Sequence, residues 1–179
     1  MNDIEHVRVK IFAEAADFDP GEAIPIFHRW IQEGFGGHLL IDVADYRHVP
    51  AGPGVMLVAH EAHYALDNGK NRLGLLYDRR APLDGDASAK FRQAWDAAWE
   101  ACAQLEREPA LSGKLKFAAG ECEISINDRL LAPNTAGTFT TLRPALESLF
   151  DGVWGVGTYT LTREGEPREL FRVHARKNV

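Results

Sequence analysis

Cysteine is scarce in this chain of 179 residues, with Cys102 and Cys122 the only two. No export signal accompanies them, and Cys102 falls on the apolar side of an expected helix, so a structural disulfide is not expected. Long hydrophobic runs are missing as well. No stretch reaches the roughly eighteen apolar residues that read as a membrane span. The opening Met1-Asn2-Asp3-Ile4-Glu5 is acidic and lacks the basic-then-apolar order of a signal peptide. Positive charge is also in short supply: 20 basic against 26 acidic side chains leave a net charge of -6. That balance disfavours non-specific attraction to nucleic acid or anionic lipid. Together these shortages lead to the expectation of a cytoplasmic protein with neither a nucleic-acid nor a membrane partner.

Familiar catalytic strings are absent too. There is no Gly-x-Ser-x-Gly nucleophile elbow. Gly52-Pro53-Gly54 lacks the later lysine and the strand-loop-helix setting of a phosphate loop. His60-Glu61-Ala62-His63 superficially resembles a zinc-protease helix, but its histidines are three apart rather than four and the local pattern is a strand. Histidines so placed face opposite sides of a strand, and no metal site is expected from them. Cys122, between Glu121 and Glu123, has no electrostatic help toward a reactive thiolate.

What is present is an ordinary core-forming composition, 45% hydrophobic and 26% charged, in a chain long enough to bury about 70% of its extended surface. Residues 1–179 are expected to form one domain without a linker. Val7-Arg8-Val9-Lys10-Ile11-Phe12 alternates as a strand with one wet face. Ile26, Phe27, Trp30 and Ile31 recur at helical spacing after Pro25, a residue suited to a first turn, and Gly34 supplies the stop. Leu39-Leu40-Ile41-Asp42-Val43 is nearly continuous in apolar character, as in a strand covered on both faces. A loop of two prolines and two glycines follows, then a strand from Val55 running to about Tyr64, a turn at Asp67-Asn68-Gly69, and a strand at 73–77. Ser88 is the expected cap of the clearest helix, in which Phe91, Trp95, Ala98, Cys102 and Leu105 form an apolar stripe that ends before Pro109.

Two further strands are expected near 115–117 and 122–126. A short helix should then carry Leu142, Leu146, Leu149 and Phe150, with Pro144 near its start and Gly152 at its end. A hairpin around Glu164-Gly165-Glu166-Pro167 closes the chain. The basic residues Arg168, Arg172, His174, Arg176 and Lys177 are read as a solvated edge strand with its tail. The expected order is β-α-β-β-β-α-β-β-α-β-β, an α+β fold with a mainly antiparallel sheet and about three helices packed on one side. A loose repeat of strand, helix and strands relates residues 7–77 to 115–174.

Polar groups concentrate between Asp42 and Tyr77. The six candidate pocket residues are Arg29, Asp42, Asp45, His48, His60 and Glu61. Asp42 has apolar sequence neighbours, and a buried carboxylate must be paired, hydrogen-bonded or protonated. An imidazole changes charge near neutral pH, so His48 or His60 is the default general acid or base, oriented by Asp42 or Asp45. The Arg29 fork suits a carboxylate or phosphate. These groups point to binding of a small polar or anionic molecule near the middle strands. They name no cofactor and leave open whether the chain is an enzyme. The alternative is a noncatalytic interaction or adaptor domain, and either reading is compatible with a homodimer.

The strings FHRWIQ at 27–32, IDVADYRHVPAGPGV at 41–55, HEAHYALD at 60–67 and LGLLYDRR at 73–80 resemble those of an uncharacterised conserved family of bacterial cytosolic proteins. The resemblance covers chiefly residues 7–80. That family has no established function, so the resemblance implies a bacterial cytosolic setting and assigns no role to any residue.

Overall fold

The computed structural model describes residues 4–50 and 52–178; residues 1–3 of the acidic opening, Ala51 of the proline-glycine loop and Val179 lie outside the described residues. Alternation of apolar and polar side chains produces the opening strand, β1 (Val7–Ala16), whose Val7, Val9 and Ile11 are buried on one face. Asp19 then caps a short 3-10 turn at Pro20–Glu22 that leads into α1 (Ala23–Glu33). Pro25 therefore stands in the first turn of α1, where a missing amide costs little. Gly34 ends the helix in the left-handed conformation at φ 72°.

Four strands follow as a meander: β2 (Leu40–Tyr46), β3 (Gly54–Ala59), β4 (Ala62–Asp67) and β5 (Gly74–Arg79). The expected single strand from Val55 to Tyr64 is two strands with a tight reversal at His60-Glu61. Expected as a strand covered on both faces, β2 is instead a sheet edge, with Leu39 and Ile41 69% and 55% exposed. A continuous apolar run cannot by itself separate a covered strand from an edge whose outer side chains are apolar. Asp42, Asp45 and a register shift between Leu40 and Asp42 blunt this edge as a template for another strand.

The long helix α2 (Ala87–Arg107) is capped by Asp86, whose carboxylate accepts from Ala89 N at 2.9 Å, rather than by Ser88. All five residues of its expected stripe are buried. After it, β6 (Leu115–Ile126) is one strand of 12 residues where two were expected, so one split and one merger leave the strand total unchanged. The third helix, α3 (Ala136–Trp154), spans 19 residues rather than a short segment, with Pro144 and Gly152 inside it. Thr135 caps its start, and Gly155, at φ 99°, ends it. The hairpin β7 (Tyr159–Glu164) and β8 (Phe171–Lys177) completes the chain. Asn134, 1% exposed, clamps this hairpin by donating to the Glu164 and Glu166 carbonyls.

The eight strands form one antiparallel sheet in the order β2-β3-β4-β5-β1-β6-β8-β7, giving an α+β fold with three helices packed against it. The C-terminal basic strand β8 is thus internal, and β7 is the edge. Each half opens with a strand, sends a helix over the sheet, and meanders back until its last strand lies beside its first. The two opening strands, β1 and β6, are paired at the centre. Register aligns Val43, Leu57, Tyr64, Tyr77, Val9, Ile124 and Val173 in one row across the sheet beneath the helices. Trp30, Phe35, Tyr64 and Tyr77 form an aromatic chain under α1, while Trp95, Phe150, Trp154 and Tyr159 form another where α2, α3 and β7 meet. Among the described residues, no helix is long and apolar enough to cross a membrane.

Candidate functional site

The six residues singled out by sequence are distributed over four places rather than gathered. Arg29 lies on α1, where it and the Trp30 indole N–H both donate to Glu108, a carboxylate only 3% exposed. Asp42 is exposed on edge strand β2, and its Oδ1 accepts from Val43 N at 2.8 Å. Asp45 and His48 belong to the β2–β3 hairpin end. There Arg47 binds both oxygens of Asp45 and reaches Asp19 at 2.7 Å. The Arg47 guanidinium holds the Asp45 carboxyl down to about 2. His60 and Glu61 form the reversal at the other end of β3, about 20 Å away for six extended residues. Glu61 meets His38 Nδ1 at 3.1 Å and Arg79 at 3.3 Å, and the His38 contact, against some burial, lowers its pKa. His63, on β4, is turned away into its own strand pair, with Nδ1 accepting from Ala59 N at 3.4 Å. Among the described residues, no group of three or more His, Cys, Asp or Glu could hold a metal ion.

A different constellation is built on the sheet face opposite the helices. Alternation turns Arg8, Lys10 and Phe12 of β1 to that side, and antiparallel register extends the pattern strand by strand. One row runs Asp78, Arg8, Ser125, Arg172, Glu164; the next runs Leu76, Lys10, Glu123, His174, Thr162. Towards β2 the first row continues through His63 and Val58 to Asp42, while the second turns apolar with Ala65, Met56 and Ala44. The charged half encloses a concavity of about 220 Å³. Five basic side chains line it, Arg8, Lys10, Lys70, Arg72 and Arg172, against the acids Asp67, Glu123 and Glu164. In a chain of net charge -6 this is a local basic excess.

The pairing within the cleft is uneven. Lys10 Nζ is tightly held, 2.5 Å from Asp67 and 3.4 Å from the Gly69 carbonyl. The Arg72 guanidinium carbon lies over Phe12, 3.7 Å from the ring centroid, and the side chain donates to Glu121 at 3.0 Å. His174 Nε2 also meets Glu121, at 2.7 Å. Arg172 Nε lies 3.0 Å from Glu123 and its Nη1 lies 4.0 Å from Glu169, while Arg8 Nε stands 3.8 Å from Asp78. Yet the buried Nε of Arg8 and the buried Nε and Nη1 of Arg172 find no hydrogen-bond partner among the described residues. A buried donor without an acceptor carries a desolvation cost of roughly 1–3 kcal/mol, so both guanidiniums have hydrogen-bonding capacity left to satisfy. Chemically, the arrangement suits a small anion and offers no activated nucleophile. Cys102 and Cys122 are buried elsewhere in the core, where desolvation pushes both thiols up and leaves them protonated.

The signal for this cleft was present in the alternation of β1, β6 and β8, where the charged residues read simply as the wet side of each strand. Only the order β5-β1-β6-β8 makes them neighbours. Glu121 allows a direct test of the electrostatics. The Arg72 hydrogen bond chiefly, with His174 adding, depresses its carboxyl below the ordinary 4.5 despite an opposing contribution from burial. A depressed carboxyl stabilises the fold above its unfolded pKa, and that contribution is lost as pH falls through the folded value. Glu121→Gln should therefore cost about 1 kcal/mol at pH 7, with the urea-midpoint gap to wild type closing below pH 4.5. A gap unchanged down to the acid limit of folding would rule this pairing out as the cause.

No family model, curated protein or solved structure matches the chain.

Proposed function

We propose that the protein binds a small anionic molecule, a carboxylate or phosphate, in the charged cleft on the uncovered sheet face. The observation that carries this reading is the pair of guanidiniums, Arg8 and Arg172, each lining the cleft with a buried N–H lacking a hydrogen-bond partner among the described residues. Guanidinium is the planar fork best matched to carboxylate and phosphate. Lys10 and Arg72 add charge from either side, with Arg72 held over the Phe12 ring. The anion-binding expectation from the middle strands is retained in kind but moved: Asp67, Leu76 and the β4–β5 connection with Lys70 and Arg72 come from that region, while Arg8 and Lys10 come from β1 and Arg172 from β8. The bacterial cytosol is the setting we propose, consistent with the two unbridged, protonated thiols.

Titration with inorganic phosphate at low ionic strength, followed by calorimetry and backbone amide shifts, tests the reading. Arg172→Gln should weaken phosphate binding tenfold to a hundredfold, the loss of about one to two charge-assisted hydrogen bonds, with shifts clustered on β1, β6 and β8. Absence of phosphate binding to wild type, or equal binding by a folded Arg172→Gln protein, would defeat it.

A further inference from the structure

A second concavity, of about 530 Å³, adjoins the charged cleft at the β2–β3 hairpin end of the sheet. Its walls come from Asp19 and Pro20 before α1, from Tyr46, Val49, Pro50 and Gly52 at the β2–β3 hairpin end, and from the β4–β5 connection. The two hollows share the β4–β5 connection as a partition. Asp67, Gly69 and Arg72 line the charged cleft, Leu66, Asn68 and Asn71 line the loop cleft, and Lys70 lines both. The partition is held in an uncommon backbone form. Lys70 and Asn71 are successive non-glycine residues in the left-handed region, at φ 59° and 56°. Such conformations carry a cost, and they concentrate where a fold positions functional groups.

The loop cleft differs chemically from its neighbour. Tyr46 and Val49, each 41% exposed, present large apolar surface alongside Pro20 and Pro50. Its Arg47 is already engaged by Asp45 and Asp19, which leaves Lys70 as a lining cation with no ion-pair partner among the described residues, on the border with the charged cleft. One hollow thus offers cationic groups and the other offers ring-sized apolar walls, with a lysine between them. Ligand sites commonly join an apolar enclosure to a few fixed polar groups.

Building on the anion-binding reading of the open-face cleft, we infer that the two hollows are subsites for one ligand, an anion that carries a flat ring or comparable apolar body. The acidic group sits at the Arg72 end of the charged cleft. Lys70 meets it at the partition, and the ring lies against Tyr46, Val49 and Pro50. Specificity then comes from the loop cleft, and charge recognition from Lys70 and Arg72 of the β4–β5 connection.

Calorimetric titration with two probes, inorganic phosphate and 1-naphthyl phosphate, tests this. Wild type should bind naphthyl phosphate at least tenfold tighter than phosphate. The doubly substituted protein Tyr46→Ser/Val49→Ser should lose that gain while its phosphate affinity stays within twofold of wild type. Both positions are well exposed, so the fold should persist. Should the variant fail to fold, nuclear Overhauser contacts from the naphthyl ring to Tyr46 in wild type give the same answer, and their absence counts against the inference. Equal affinities for the two probes, or a gain that survives both substitutions, would overturn the two-subsite inference while leaving anion binding intact. Failure of both probes to bind removes the anion reading and this inference with it.

Discussion

Alanine in place of Gly54 is expected to cost about 3 kcal/mol, the sum of a left-handed backbone penalty of about 1 kcal/mol and a steric one of about 2 kcal/mol. Gly54 opens β3 at φ 68°, and a Cβ there would be driven into the Leu66 carbonyl oxygen on the neighbouring strand. That carbonyl belongs to the backbone of β4, so relief requires moving one strand against another at the Val55–Leu66 pair. Gly34 provides the control. It shares the conformation, at φ 72°, but a Cβ would meet nothing within 4 Å. Gly34→Ala should thus cost only about 1 kcal/mol. At a urea dependence of about 2 kcal/mol per molar, the two midpoints should fall by roughly 0.5 M and 1.5 M. Equal falls would mean that β3 and β4 part without resistance at this end. Gly54 also lines the loop cleft, so its variant should lose the discrimination between the two phosphate probes as the hairpin shifts.

The second large effect is expected at Phe150. This ring is fully buried, stacked on Trp154 at 4.5 Å between centroids, edge-on to Trp95 at 5.8 Å and tilted against Tyr159 at 5.6 Å. It joins α3 to α2 and to edge strand β7, whose Tyr159 hydroxyl donates to Asp151 on α3 at 2.7 Å. Phe150→Ala removes the central ring of the cluster and leaves a cavity that its rigid neighbours fill poorly. A loss of about 4 kcal/mol follows from the usual cost of such truncations, and near-ultraviolet circular dichroism should report altered Trp95 and Trp154 environments. Phe150→Leu keeps most of the volume and should cost about 1.5 kcal/mol. A loss under 1 kcal/mol for the alanine variant would show that α3 settles onto α2 without this ring. The Tyr159 hydroxyl, raised to about 12 by burial and its Asp151 hydrogen bond, should begin to titrate earlier in the truncated protein as the cluster loosens.

Particular elements show what kind of information each level held. Phe91, Trp95, Ala98, Cys102 and Leu105 were legible as a core stripe because helical geometry places residues three and four apart on one side whatever lies opposite. The reversal at His60-Glu61 was not legible, because apolar residues continue through both β3 and β4 and the turn carries neither Gly nor Pro. Pro144 misled for a related reason. Proline usually stops a helix, but eight residues before it in α3 already form two turns, and packing of Leu142, Leu146 and Phe150 outweighs one missing backbone bond. Asp42 read as a buried acid from its apolar neighbours. Placement of β2 at the edge exposes it, and the same carboxylate then needs only its own Val43 amide.

By itself, then, the sequence determined the α+β class, an antiparallel sheet with helices on one side, and the residues that face the core, since these follow from periodicities internal to each segment. Tertiary structure alone decided the strand order, and with it which charged residues meet. Arg8, Lys10, Arg72, Glu121, Glu123, Arg172 and His174 are scattered from one end of the chain to the other. Local pattern says only that each faces outward. A sheet that inserts β1 between β5 and β6, and draws β8 inside β7, turns those separate wet faces into one basic hollow.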